Sequence, residues 1–408
     1  MRFRNPIKLL FVTILIAVPL LGCSNGNGVA TNSTVSPSIM PSATPEETAS
    51  VPPSPEEPSS SPVSSESPPP ASSLPPPKLG TVTAMRLADY KTGWTGGEGW
   101  IARTRNGGNS WTKQWEGQET VQQLFALNNI EAWATLDKGD AKELSLIRTT
   151  DGGSNWSAAG TVPNRDFLHF VSANEAFSGN DHTTDGGKTW TTYKLPAETV
   201  GNAYFHDKNN GWIVTQTNGK FDFRRTTDGA KSWKVVYTRA TEAPVTGTVI
   251  RSAGKNDAWI ELIGDSGMSQ TSYSLFHTES GGKSWTPVLA NNQAGSGPAP
   301  GFKMSEETKV PRNDGSSPGT LNVVNTKVAF MGGRCSACDL SNTMGKTTDG
   351  GATWVNLKAA FPGYGPQFIG AQDADHIWWI NTENEQPSVL YTSSDGGNTW
   401  NKTYTFDK

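Results

Sequence analysis

From residue 81 onward the chain runs in short stretches of alternating apolar and polar positions. Leu144-Ser145-Leu146-Ile147-Arg148 and Tyr273-Ser274-Leu275-Phe276 are examples. A two-residue period predicts β-strands with one face buried. These stretches lead into an octapeptide, most regular in Thr183-Thr184-Asp185-Gly186-Gly187-Lys188-Thr189-Trp190. Matching octapeptides start at Thr149, Thr347 and Ser393, and altered ones at Thr104, Thr226 and Thr278. The alterations are Asn106 and Ser280 in place of the aspartate, and Ala230 in place of the second glycine. Upstream of each octapeptide a pair recurs: Gly93-Trp94, Ala132-Trp133, Ala176-Phe177, Gly211-Trp212, Ala258-Trp259, Ala329-Phe330 and Ile377-Trp378. Each unit therefore predicts four strands. The first precedes the pair, the second carries it, the third leads into the octapeptide and the fourth starts at its tryptophan.

The octapeptide has the chemistry of a turn. Its glycines take positive φ without steric cost. Its aspartate can accept hydrogen bonds from backbone N–H groups of the same turn. Its tryptophan offers a large apolar face to a neighbouring sheet. Seven of the 15 tryptophans close an octapeptide and five more sit in the pairs, so tryptophan richness needs no sugar-binding platform to explain it. Seven four-stranded units in series are the arithmetic of an all-β, seven-bladed β-propeller of antiparallel blades over 81–408. Unit one starts with its own inner strand near Val82 and unit seven ends with its own outer strand, so closure is expected by packing rather than by a shared strand.

The first 80 residues read differently. Arg2, Arg4 and Lys8 precede an apolar run, Leu9 to Leu21, too short to span a bilayer and laid out as a secretory signal over 1–22. The run ends Leu20-Leu21-Gly22-Cys23, which resembles a bacterial lipobox and marks Cys23 for lipid attachment. Residues 23–80 carry fourteen of the 27 prolines among Ser, Thr and Glu. Such a stretch lacks the apolar content to offset ordering entropy and predicts a disordered tether. The expected location is therefore extracytoplasmic, anchored to the membrane by lipid alone. The balance of 34 basic against 38 acidic residues argues against nucleic acid as a partner.

The octapeptides resemble the Asp-box, or bacterial neuraminidase repeat. With the Gly-Trp second strands, they look most like the photosystem II stability/assembly factor-like propellers. The resemblance covers 81–408 and implies a non-catalytic assembly or binding scaffold. It assigns structural roles to Asp151, Asp185, Asp228, Asp349 and Asp395, and with them Trp111, Trp156, Trp190, Trp233, Trp285, Trp354 and Trp400. It does not carry onto Asn106 or Ser280. Sialidases share the box, but the Phe/Tyr-Arg-Ile-Pro stretch near the start of their catalytic domain is missing. Arg103, Arg148 and Arg224, just ahead of boxes, read as repeated and structural. A carbohydrate-binding or glycoside-hydrolysing propeller acting on wall glycans is the alternative.

No catalytic residue, cofactor or metal site is assigned: His169, His182, His206, His277 and His376 are scattered without ligand spacing. Cys335 and Cys338 are expected to form a local disulfide in an exported protein. Boxes occupy third-to-fourth turns on one rim. The longest connection, about 290–320, and the 332–344 loop belong on the other. Long loops on a rigid scaffold are where binding concentrates, so Lys303, Arg312 and Arg334 are the candidate contacts to a protein partner at the membrane or wall, or to a glycan.

Overall fold

The computed structural model describes residues 77–408, apart from 140–141, 268, 293–294, 306–308, 336–340 and 384. The signal segment, Cys23, nearly all of the tether and Cys338 lie outside the described residues. The described residues fall in one compact unit, and its described elements are strands, all paired antiparallel.

The first sheet holds β1 (Val82–Leu87), β2 (Gly93–Thr104), β3 (Thr112–Ala126), β4 (Ala132–Asp137), β5 (Leu144–Thr149) and β6 (Ser157–Val162). Five four-stranded sheets follow. Their first strands are β7 (Leu168–Phe170), β11 (Thr199–Phe205), β15 (Gly247–Arg251), β19 (Ser317–Val323) and β23 (Gln367–Ala371). Hydrogen bonding thus makes six sheets where the repeat count predicts seven. Units one and two share a sheet because β2 and β3 run on through the bends that should end them. The front of β2 pairs with β1 (Leu87 opposite Gly93) and its rear with β3 (Arg103 opposite Thr112). Glu98 opposite Thr120 then stitches the two units together. Glycine permits this: a Cβ at Gly96 would sit 2.7 Å from Val121 Cγ1, and Gly99 turns the chain at φ 76°.

The core is a series of seven aromatic clusters. Each joins the second-strand aromatic of one unit to the box tryptophan of the next. The pairs are Trp94 with Trp156, Trp133 with Trp190, Phe177 with Trp233, Trp212 with Trp285, Trp259 with Trp354, Phe330 with Trp400, and Trp378 with Trp111. Trp212 and Trp285 meet edge to face at 5.8 Å, as do Trp378 and Trp111 at 6.1 Å. That geometry suits the aromatic quadrupole, and each fully buried ring contributes roughly 1.5–3 kcal/mol. The last pair closes the ring. Leu79 N–H donates to Asp407 Oδ2 at 2.8 Å, and Val82 N–H to Ser388 Oγ at 3.2 Å. The first strand pairs with β2 and the last, β26 (Asn401–Thr405), with its own unit, so closure is by side chains and loops.

Candidate functional site

The box turns show what the repeated residues do. In unit three, Thr183 Oγ1 donates to Asp185 Oδ1 (2.9 Å) and accepts from Gly187 N–H (3.0 Å). Asp185 Oδ1 accepts from Thr189 N–H at 2.9 Å. Hydrogen bonds from the residue four positions on hold Asp151, Asp185, Asp228 and Asp395 at about 2, well below the usual carboxylate range. The altered boxes keep the same geometry. Asn106 Oδ1 accepts from Ser110 N–H and Ser280 Oγ from Ser284 N–H, both at 3.0 Å. The expectation that Asn106 and Ser280 lack the aspartate's role is therefore corrected: the turn needs an acceptor oxygen there, and all three residue types supply one.

A second repeated device faces the boxes. The first box glycine donates its N–H to the first-to-second turn of its own unit, as Gly152 does to Ile130 O and Gly281 to Asn256 O. That turn is itself held by an Asx or Ser side chain: Asp89, Asn128, Ser172, Asp207, Asn325 and Asp373 each accept from N–H groups two and three residues on. These acceptors stand four residues ahead of the small–aromatic pair, a spacing present in the sequence.

A latch between units completes the frame. In units one, four, five and six the residue just before the box reaches the carbonyl of the next unit's first box glycine. Arg103 bonds Gly152 O (2.6 Å), Arg225 bonds Gly281 O (3.2 Å), His277 Nδ1 lies 2.8 Å from Gly350 O and Lys346 bonds Gly396 O (2.7 Å). Arg103, Arg148 and Arg225 also cover the rings of Trp94, Trp133 and Trp212. The repeat-equivalent arginine in unit four is thus Arg225. Arg224, the expected one, points the other way along the strand's alternation and bonds Thr215 and Asp222 within its own sheet. In unit two Arg148 pairs with Glu131 instead, in unit three His182 lies 3.0 Å from Glu175, and in unit seven Thr392 bonds Thr403.

Inside the ring the first strands of all seven units line one channel of about 550 Å³. Its charged and aromatic wall includes Arg86, Phe125, Phe167, His169, Tyr204 and Arg251. Arg251 lies over the Phe167 ring at 3.7 Å and Arg86 over Phe125 at 4.6 Å. His169 stacks on Tyr204 with 4.8 Å between nearly parallel rings. Burial holds the His169 imidazole down to about 3, so it is neutral. Burial also lowers both guanidinium groups, Arg251 to about 10, and both stay charged at neutral pH. Behind Arg251 lies Glu261, on β16 (Ala258–Gly267), its carboxyl pushed up to about 8 by burial against the pull of Arg251. Arg86 and Arg251 stand near the ends of β1 and β15 that enter first-to-second turns, the same rim as the boxes.

No protein-family model matches the chain. Over 308 residues it is 22% identical to a xyloglucanase from Paenibacillus sp, an alignment covering 64% of this chain and 28% of that enzyme. The GH74 xyloglucanase of Xanthomonas campestris superposes with a TM-score of 0.51 at 14% identity, over 79% of this chain and 53% of that one. The BP39L lectin of Burkholderia pseudomallei gives 0.51 at 9%, over 80% and 99%. YCF48 bound to a D1 peptide gives 0.48 at 16%, over 78% and 93%. The two superpositions at 0.51 speak to the fold. The chain is a β-propeller.

On this propeller the three expected contact residues do not form one site. Arg312 is clamped to its own connection, donating to Asn292 Oδ1 and Asn292 O at 2.6 Å each. Arg334 lines a small cleft with Pro318, Thr320 and Gln367, and its Nε is buried. Lys303 is exposed, one residue after Phe302, which with Ala299 is buried in the Trp212 cluster. The connection is thus docked, with Ser274 Oγ donating to Pro300 O at 2.8 Å and Gly301 N–H to Thr241 Oγ1 at 3.0 Å. It does meet the 332–344 loop: Thr343 Oγ1 donates to Asp314 O at 2.9 Å. Cys335 is buried and disulfide-bonded. Among the described residues no group of three or more His, Cys, Asp or Glu is placed to hold a metal ion.

Proposed function

We propose that this chain is a non-catalytic binding or assembly scaffold, exported and held to the cell surface by lipid on Cys23. In this reading units one and two count as separate blades, giving a seven-bladed Asp-box propeller of the photosystem II assembly factor-like kind. One observation carries the functional part. The repeated cations and aspartates are committed to turns and latches, whereas Arg86 and Arg251 face the channel with no such duty. A rigid frame around unneutralised arginines suits holding a ligand that presents negative charge at the box-turn rim.

The alternative is glycan binding or hydrolysis at the wall, and the sequence match to a xyloglucanase stands behind it. Crosslinking of the full chain in its native cell, beside an assay for reducing ends on xyloglucan, separates the two. The scaffold reading expects a discrete adduct and no reducing ends above a no-protein control. Reducing ends released in proportion to protein would favour the hydrolase.

A further inference from the structure

The channel carries a charge imbalance that the fold does not use. Arg86 is close enough to Arg251 to lower the readiness of Arg251 to hold its proton. Among the described residues neither has a carboxylate partner; Arg251 makes one hydrogen bond, to Ile250 O at 2.8 Å, and Arg86 makes none. Arg103, Arg148 and Arg225, buried or half-buried in the same protein, each find a carbonyl or carboxylate. Confined like charges without counter-charge are unfavourable, and the neighbouring acid, Glu261, makes no ion pair with either and is pushed up to about 8 by burial.

The remaining groups are those an anion would need. Phe125 and Phe167 occupy the guanidinium faces, which fixes their planes and leaves the N–H edges as donors. The stacked rings of His169 and Tyr204 line the same channel. The cavity, about 550 Å³, is of the size that holds a small molecule rather than a folded partner's loop.

We infer that the channel binds a small molecule through an oxyanion, a carboxylate or a phosphate, held between Arg86 and Arg251. This rests on the binding reading above and names the chemical class of what is bound.

Isothermal titration of the full chain with citrate, glucuronate, inorganic phosphate and glucose tests it. At least one anion should bind at one site per chain and glucose should not; which anion binds separates a carboxylate ligand from a phosphate one. Arg86→Gln and Arg251→Gln should each weaken that binding at least tenfold while Arg225→Gln leaves it in place. A second measurement avoids any variant: the bound anion should slow phenylglyoxal modification of Arg86 and Arg251 but not of exposed Arg105. No saturable binding by any of the three anions would overturn the inference, as would binding that both substitutions leave unchanged or that gives no protection. An in-cell adduct from a parent chain that binds no anion would remove this inference and leave the scaffold reading standing. Anion binding with no adduct would do the reverse.

Discussion

Arg225 in the fourth repeat donates to the carbonyl of Gly281 in the fifth, while its guanidinium covers Trp212 at 5.3 Å. One side chain thus ties two neighbouring units and caps the cluster between them. Removing it should be felt as stability, not as binding. Arg225→Gln is expected to lower the free energy of unfolding by about 1–3 kcal/mol, the range for a hydrogen bond from a charged donor. Urea denaturation against the exposed control Arg105→Gln checks this; equal midpoints would deny the latch its role.

The aromatic clusters set the larger energies. Trp212 is fully buried against Trp285 and Val214. Trp212→Ala should cost about 3–5 kcal/mol, as large-to-small changes in a packed core do. A loss under 1 kcal/mol by chemical denaturation would mean that the interface repacks freely.

The box aspartates predict an acid limb of stability. Asp185, Asp228 and Asp395 are held at about 2 in the fold, against about 3.9 when unfolded. Their stabilisation is complete above about pH 4 and is lost as pH falls towards 2. Asn106 shows that an amide oxygen can serve the same turn. Asp185→Asn should therefore keep the fold at pH 7 and flatten the fall between pH 4 and 2, read from denaturant midpoints. A variant whose acid limb matches the parent's would contradict this.

Glu261 works with the opposite sign. Its carboxyl is pushed up to about 8 in the fold from an ordinary 4.5. The folded state then binds more protons than the unfolded chain between those values, so its contribution falls as pH rises from about 4.5 to 8 and is level above that. Glu261→Gln should remove that slope. An unchanged slope would place the carboxylate, ionised, against Arg251.

Cys23 carries the anchoring proposal. Replacing it with Ser should move the exported chain from the membrane to the soluble fraction in cell fractionation. Membrane retention equal to the parent's would leave the anchor without support.

Much of the frame was legible because it repeats. The octapeptide fixed the position of every third-to-fourth turn, and the small–aromatic pair located every second strand, since both are local signals of turn and strand chemistry. The acceptor four residues ahead of that pair was equally visible but varies among Asp, Asn and Ser, which hides it from a search for one residue type. Arg224 was preferred to Arg225 because two arginines stand together, and only the strand's alternation decides which faces the next unit. The merged first sheet follows from Gly96 to Gly99 and a short link before Thr120, which no repeat count reveals. The channel was not legible at all. Its wall takes Arg86, His169, Tyr204 and Arg251 from four first strands that share no motif, and only the closed ring brings them together. Glu261, inside the apolar run Ala258-Trp259-Ile260-Glu261-Leu262, was the one signal there to be read.

Latch and channel divide the labour, and one paired measurement addresses that division. Arg225→Gln and Arg251→Gln are compared with the parent for thermal melting and for anion binding by isothermal titration. The expected result is that Arg225→Gln melts several degrees lower, by the conversion of about 1–3 kcal/mol in a domain of this size, and keeps its anion binding. Arg251→Gln should melt close to the parent and lose it. An Arg251→Gln chain that melts normally and binds the anion as the parent does would contradict the assignment of the channel as the binding site.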